Sequence, residues 1–174
     1  MTPDRIGSAR HEFDVSIGAT VLLLPGRLTR WKGQTWFLGA LRQRADWLRS
    51  RNVCVVIVGD AQGRVDYKEE LIHLADDLIA MGVPVRFKAD CKDLPAAYAL
   101  ADIVFSCSIE PEAFGRIAAE SLSMSRPFIG TSHGGTVELT GEGRFGSTVT
   151  PGDDGALLAE IERTLNCGPE ELLK

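Results

Sequence analysis

The sequence predicts a doubly wound α/β domain built on a parallel sheet of about six strands. Three observations carry that expectation. Short aliphatic or β-branched runs alternate along the chain with longer segments of helical period. Most of the short runs are apolar on both faces, as strands covered by helices on each side must be. Glycine, proline and small polar residues punctuate the junctions, where right-handed crossovers would turn.

The elements follow in order. Residues 1–18 are polar and without pattern, and read as a linker or lead-in; the domain proper is placed at 19–174. Strands are expected at Val21–Leu24, Val53–Val58, Val85–Lys88, Ile103–Ser106, Pro127–Gly130 and Ser147–Val149. Helices are expected at Gln34–Arg49, Tyr67–Met81, Leu94–Leu100, Phe114–Met124 and Asp153–Leu165. The second helix shows the logic. Leu71, Leu74, Leu78 and Met81 recur at three- and four-residue spacing, and Gly82 and Pro84 then stop the helix. No internal repeat or low-complexity tract interrupts the pattern.

Composition narrows the function classes. Of the 174 residues, 44% are hydrophobic and 25% charged, which suits an ordinary globular domain. The net charge of −5 argues against a general nucleic-acid binder, which needs a basic footprint. No apolar run reaches the ~20 residues of a membrane helix, and Met1–Arg10 carries no secretory h-region. Cys54, Cys91, Cys107 and Cys167 show no C-x-x-C spacing, so free thiols in a reducing, cytoplasmic setting are expected.

In open α/β sheets, ligands collect beyond the carboxyl ends of the strands. After the first strand, Pro25–Gly33 joins Gly26, Arg27, Lys32 and a helix start. A guanidinium fork and a point charge there suit a phosphate, and a solvated basic turn fits the same residues. After the second strand, Gly59-Asp60 permits close approach of a ligand or simply a tight turn. After the fourth, Glu112, Phe114, Gly115 and Glu120 span a loop and the beginning of a helix. Free amides at Phe114 and Gly115 would face a diphosphate, and Glu120, two turns in, could reach ribose hydroxyls. A surface helix with an acidic start is the plainer alternative. After the fifth, His133, Gly134, Gly135 and Glu138 form another glycine-rich loop. His133 is a candidate sugar or phosphate contact, or a solvated loop histidine. Tyr98, Trp31, Trp36 and Trp47 read as helix packing rather than stacking platforms, and Asp153-Asp154 as a helix N-cap.

Taken in this order, the loops resemble the family-four retaining glycosyltransferases, glycosyl transferases group 1. The resemblance runs from about Leu22 to Gly152. It rests on Gly26-Arg27 with Lys32-Gly33, on Glu112 and Glu120 with Phe114-Gly115 between them, on Gly134-Gly135 with Glu138, and on the Pro151-Gly152-Asp153 turn. It implies the Rossmann-like, donor-binding half of a GT-B fold, with a nucleoside diphosphate sugar as partner. Arg27 and Lys32 would hold and stabilise the diphosphate, and Glu112 would contact the donor sugar; these three are the catalytic candidates. Glu120 would bind the ribose and the amides of Phe114 and Gly115 the distal phosphate. Gly26, Gly59, His133, Gly134 and Gly135 complete the substrate-binding set, and the base would lie near Lys88–Asp93. No D-x-D occurs, so no metal and no cofactor are expected.

The same resemblance implies an N-terminal acceptor domain that these residues lack, through which any membrane contact would be peripheral. It also implies a closing helix that is absent here or cut short at Lys174. The activity implied is transfer of a sugar to a glycan or lipid acceptor in polysaccharide biosynthesis, by a two-domain enzyme of which this chain alone would be inactive. A nucleotide-binding module without catalysis and a GT-B-type nucleotide-sugar epimerase are the alternatives.

Overall fold

The computed structural model describes residues 1–167. The expectation of a closing helix absent or cut short at Lys174 lies outside the described residues. Six strands form one parallel sheet: β1 (Thr20–Pro25), β2 (Val53–Val58), β3 (Val85–Lys88), β4 (Ile103–Ser106), β5 (Phe128–Thr131) and β6 (Ser147–Val149). Their order across the sheet is β3-β2-β1-β4-β5-β6. Strand order therefore reverses between β1 and β4, which opens a crevice at their carboxyl ends.

Strand alternation explains why the runs are apolar throughout. Leu22, Leu24, Val55 and Ile57 face one core layer, while Val21, Leu23, Val56 and Val58 face the other. Helices α2 (Gln34–Arg42), α3 (Ala45–Ser50), α4 (Val65–Ala80) and α8 (Asp154–Asn166) supply side chains to the first layer. The second layer lies under α1 (Pro3–Glu12), α5 (Leu94–Leu100) and α6 (Arg116–Ser123). In α4, Leu71 and Leu78 are fully buried, whereas Met81 lies past the helix end and is exposed. Among the described residues, no helix is long and apolar enough to cross a membrane.

Several expectations need correction. Residues 1–18 are not a featureless lead-in. Pro3–Glu12 is helical, and Ala9, Phe13 and Val15 are buried in the second layer. The stripe is too narrow to register as periodicity, and ion pairs complete the attachment: Arg5 with Asp93, Glu12 with Lys88 and Asp14 with Arg86. The helix expected over Gln34–Arg49 breaks at Gln43-Arg44. Arg44 leaves helical geometry at φ −124°, and Gln43 and Arg44 reach Asp154 and Glu162 of α8. A five-residue helix, α7 (Gly135–Leu139), forms inside the glycine-rich loop, too short to show a period.

The expected helix cap is present. Asp153 caps α8 through Ala156 N–H at 2.9 Å. Asp154 instead accepts from Trp36 Nε1 and Gln43 Nε2, each at 2.6 Å, tying α8 to α2. Trp36 and Trp47 pack on the core, but Trp31 does not lie on an α-helix: it sits in a single 3₁₀ turn, Arg30–Lys32.

Candidate functional site

The crevice between β1 and β4 is built by the two loops that leave those strands. The β1 exit is held from beneath. Gln34, fully buried, donates from Nε2 to the Arg27 carbonyl at 2.9 Å, and Tyr67 donates its hydroxyl to Gln34 Oε1 at 2.9 Å. This fixes the backbone under Arg27 and leaves its side chain exposed on the rim. Arg30 turns away, pairing with Glu70 at 2.7 Å and lying over the Tyr67 ring. Among the described residues, Arg27 has no carboxylate partner within 4.0 Å. The loop therefore keeps the Arg27 guanidinium unpaired at the rim of the crevice.

Lys32 is held at the loop's end. Gly33 adopts φ 71°, and a Cβ there would overlap the Cys107 carbonyl, so β1 and β4 approach closely only through glycine. The Lys32 ammonium lies 4.6 Å from the Trp31 ring centroid and 2.7 Å from Glu112 Oε1. Both members of the pair are mostly buried.

Glu112 sits in the irregular stretch between β4 and α6. Its Oε1 also accepts the hydroxyls of Ser108 and, at 3.3 Å, Ser106. Burial by itself would raise the Glu112 carboxyl. The Lys32 ammonium and the two hydroxyls outweigh that and hold it below the ordinary glutamate value.

Helix α6 begins at Arg116, two residues later than its apolar pattern suggests, because Gly115 takes a left-handed φ of 74° as its cap. A Cβ on Gly115 would come within 3.1 Å of the Thr136 amide, so α7 as well as any ligand constrains this glycine. Among the described residues, the amides of Phe114, Gly115 and Arg116 donate to no backbone or side-chain acceptor, and they lie at the positive end of the α6 dipole. The Phe114 side chain is exposed.

One turn along α6, Glu120 accepts the Tyr98 hydroxyl at 2.6 Å. Tyr98 is buried, and burial together with the adjacent carboxylate pushes its phenol well above the ordinary range, so it stays a donor. Tyr98 is thus helix packing, as expected, and also the partner of Glu120.

The third wall is the loop after β5. Gly135 N–H donates to the Glu112 carbonyl at 2.8 Å, and Gly134 lies against the Glu112 backbone. His133 Nε2 is 2.8 Å from the Ser108 carbonyl, which can only accept, so Nε2 carries the proton. Gly26 borders Lys32 and Ile117 of α6, and its carbonyl packs on Gly59. The structure thus brings Gly26, Lys32, Glu112, Gly115, His133, Gly134 and Gly135 to one crevice, with Arg27 on its rim and Glu120 along α6.

Gly59 also lines a second hollow of about 550 Å³, with Leu28, Asp60, Arg64, Ile72 and Phe87, beside α4. Asp60, Arg64, Lys68 and Glu69 put charge on that hollow too, whereas the Lys32–Glu112 pair and the free amides at the start of α6 lie at the switch point.

Residue-by-residue reasoning missed Ser106, Ser108, Gln34 and the Tyr98–Glu120 bond. The only sequence signal for the serines is two hydroxyls ending an otherwise apolar strand, with Glu112 four residues on.

Residues 19–167 match the model of a family described as glycosyl transferases group 1. The chain is similar to a D-inositol 3-phosphate glycosyltransferase of Corynebacterium jeikeium, at 29% identity over 81% of this chain and 34% of that one. It is also similar to the solved structure of a Rickettsia africae glycosyltransferase, with TM-score 0.89, 28% identity and coverage of 99% of this chain and 45% of that one. The Anabaena protein HepE, solved in complex with UDP and glucose, superposes with TM-score 0.84 at 30% identity, covering 95% of this chain and 44% of HepE. The chain spans about a third of the curated relative (34%) and under half of the two solved structures (45% and 44%). In architecture it matches the Rossmann-like half of a GT-B fold.

Proposed function

The chain belongs to the glycosyl transferases group 1 family, and from that premise we propose that it is the donor-binding domain of a retaining glycosyltransferase. It would take a nucleoside diphosphate sugar and present it to a glycan or lipid acceptor held by a second domain, in the cytoplasm. The supporting observation is the meeting of Lys32, Glu112 and the free amides at the start of α6 in the crevice where strand order reverses.

The chemistry follows from those groups. A diphosphate in the crevice meets the Arg27 guanidinium, the Lys32 ammonium and the amides of Phe114 and Gly115. Charge grows on the departing diphosphate as the glycosidic bond breaks, and fixed cations and dipoles stabilise it without reorganising. Glu120, held on one oxygen by Tyr98, offers the other to ribose hydroxyls. Glu112 serves the donor sugar as a hydrogen-bonding and positioning carboxylate. Its pairing with Lys32 and two hydroxyls makes it a poor nucleophile, which favours attack on the face the leaving group departs from. Gly26, Gly59, Gly134 and Gly135 let backbone approach the ligand, and His133 borders the sugar. Since HepE was solved with UDP and glucose, UDP-glucose is the first donor to test. The acceptor step requires both substrates in one cleft, so this domain alone is expected to bind without turnover.

Amide chemical shifts test the site. Adding UDP is expected to move Phe114, Gly115, Arg116 and Gly134 most. Shifts confined to Asp60, Arg64 and Phe87 would relocate the ligand to the hollow beside α4.

A further inference from the structure

We propose that the Ser108 hydroxyl is a positioning group for the donor sugar, setting the orientation of Glu112; this rests on the donor-site reading above. Ser108 is 2% exposed, two residues past the end of β4. Its hydroxyl donates to Glu112 Oε1, and its carbonyl accepts from Thr131 Oγ1 and His133 Nε2, each at 2.8 Å. The next amide, Ile109 N–H, donates at 2.7 Å to the carbonyl of Trp31, whose ring lies under Lys32. Ser108 therefore joins the β4 exit to the loop after β5, and its neighbour Ile109 ties the β4 exit to the β1 exit.

Each link has a consequence. Glu112 lies outside helix and strand, so its side-chain torsions need an external anchor. Three donors converge on Oε1, from Lys32, Ser108 and Ser106. Among the described residues Oε2 has no protein donor, and is left to accept from a sugar hydroxyl. Nε2–H of His133 donates to the Ser108 carbonyl, which ties the ring to the β4 exit. The Ser108 hydroxyl thus fixes which oxygen of Glu112 is left for the ligand, while the backbone carbonyl of the same residue holds the His133 ring. Lys32 alone would retain Glu112 without setting its rotation, because an ammonium is a point charge with little directional demand. Two hydroxyls on the same oxygen supply the direction.

A purely structural serine and a positioning serine differ in what its loss changes. Calorimetry of the wild-type chain and Ser108→Ala against UDP, GDP and ADP and their glucose conjugates separates the two. The proposal predicts that Ser108→Ala binds the preferred nucleoside diphosphate within about twofold of wild type and its sugar conjugate about tenfold more weakly, the usual scale for a hydrogen bond to a charged group. Ser106→Ala, losing the longer bond to the same oxygen, should show a smaller sugar-specific loss, and it carries the test if Ser108→Ala does not fold. Equal weakening of nucleotide and conjugate, or no change in either, would overturn the positioning role. A wild-type chain that binds every nucleotide but gains nothing from the sugar would also overturn it, while leaving the nucleotide site standing. A wild-type chain that binds none would remove the donor-site reading and this proposal together.

Discussion

Lys32 Nζ and Glu112 Oε1 lie 2.7 Å apart, although 80 residues separate them in sequence, and each side chain is less than one-sixth exposed. One comes from the loop after β1 and the other from the loop after β4. The pair therefore bridges the strands between which the sheet reverses its order.

Breaking that bridge from one side leaves a charge in a poorly solvated place. Lys32→Met is expected to destabilise the fold by about 1–3 kcal/mol, below the 3–5 of a fully buried pair because water reaches part of this one. The double variant with Glu112→Gln should recover much of the loss. Urea denaturation of both variants checks this, and a double variant no better than Lys32→Met would count against the pairing.

Acid should act on the same contact. Folding holds the Glu112 carboxyl below its ordinary value, so the ionised pair contributes fully above the unfolded value of about 4.3. That contribution fades as pH falls through the lower folded value. Wild type should therefore lose stability below about pH 4 faster than Glu112→Gln, as thermal melts across pH 3–6 would register. Parallel curves would contradict it.

Tyr98→Phe removes the donor to Glu120 and keeps the packing ring. The expected cost is about 1–2 kcal/mol in stability. Binding should also become less sensitive to the ribose hydroxyls, so the preference for UDP over 2′-deoxy-UDP narrows. An unchanged preference would separate Tyr98 from ribose recognition.

Phe13→Ala tests whether the N-terminal helix belongs to the folded unit. Phe13 is 3% exposed in the second core layer, so truncation should cost about 3–5 kcal/mol. A loss under about 0.5 kcal/mol would mark the segment as loosely attached.

The four central strands β2, β1, β4 and β5 were legible because each carries an apolar run that both core layers require, while the edge strands β3 (Val-Arg-Phe-Lys) and β6 (Ser-Thr-Val) are only partly buried. Residues that act through distant partners were less legible. The α1 segment escaped because three buried side chains, Ala9, Phe13 and Val15, make too narrow a stripe and its ion pairs reach residues 72 to 88 positions away. Arg27, Lys32, Glu112 and Glu120 stood out through charge beside glycine at strand exits. Ser108, Gln34 and Tyr98 did not, since an uncharged residue in a buried stretch gives no local sign of what it holds. The Lys32–Glu112 pairing was hidden for the same reason: sequence lists two charges, and only topology shows that they neutralise each other.

The most direct measurement is calorimetric titration of the chain with UDP, GDP, ADP and their glucose conjugates, beside Arg27→Ala and Glu120→Ala. Micromolar to millimolar binding of one nucleotide, lost in either variant while the fold persists, is the predicted result. Tight binding that both variants retain would place the nucleotide elsewhere and contradict the crevice as the donor site.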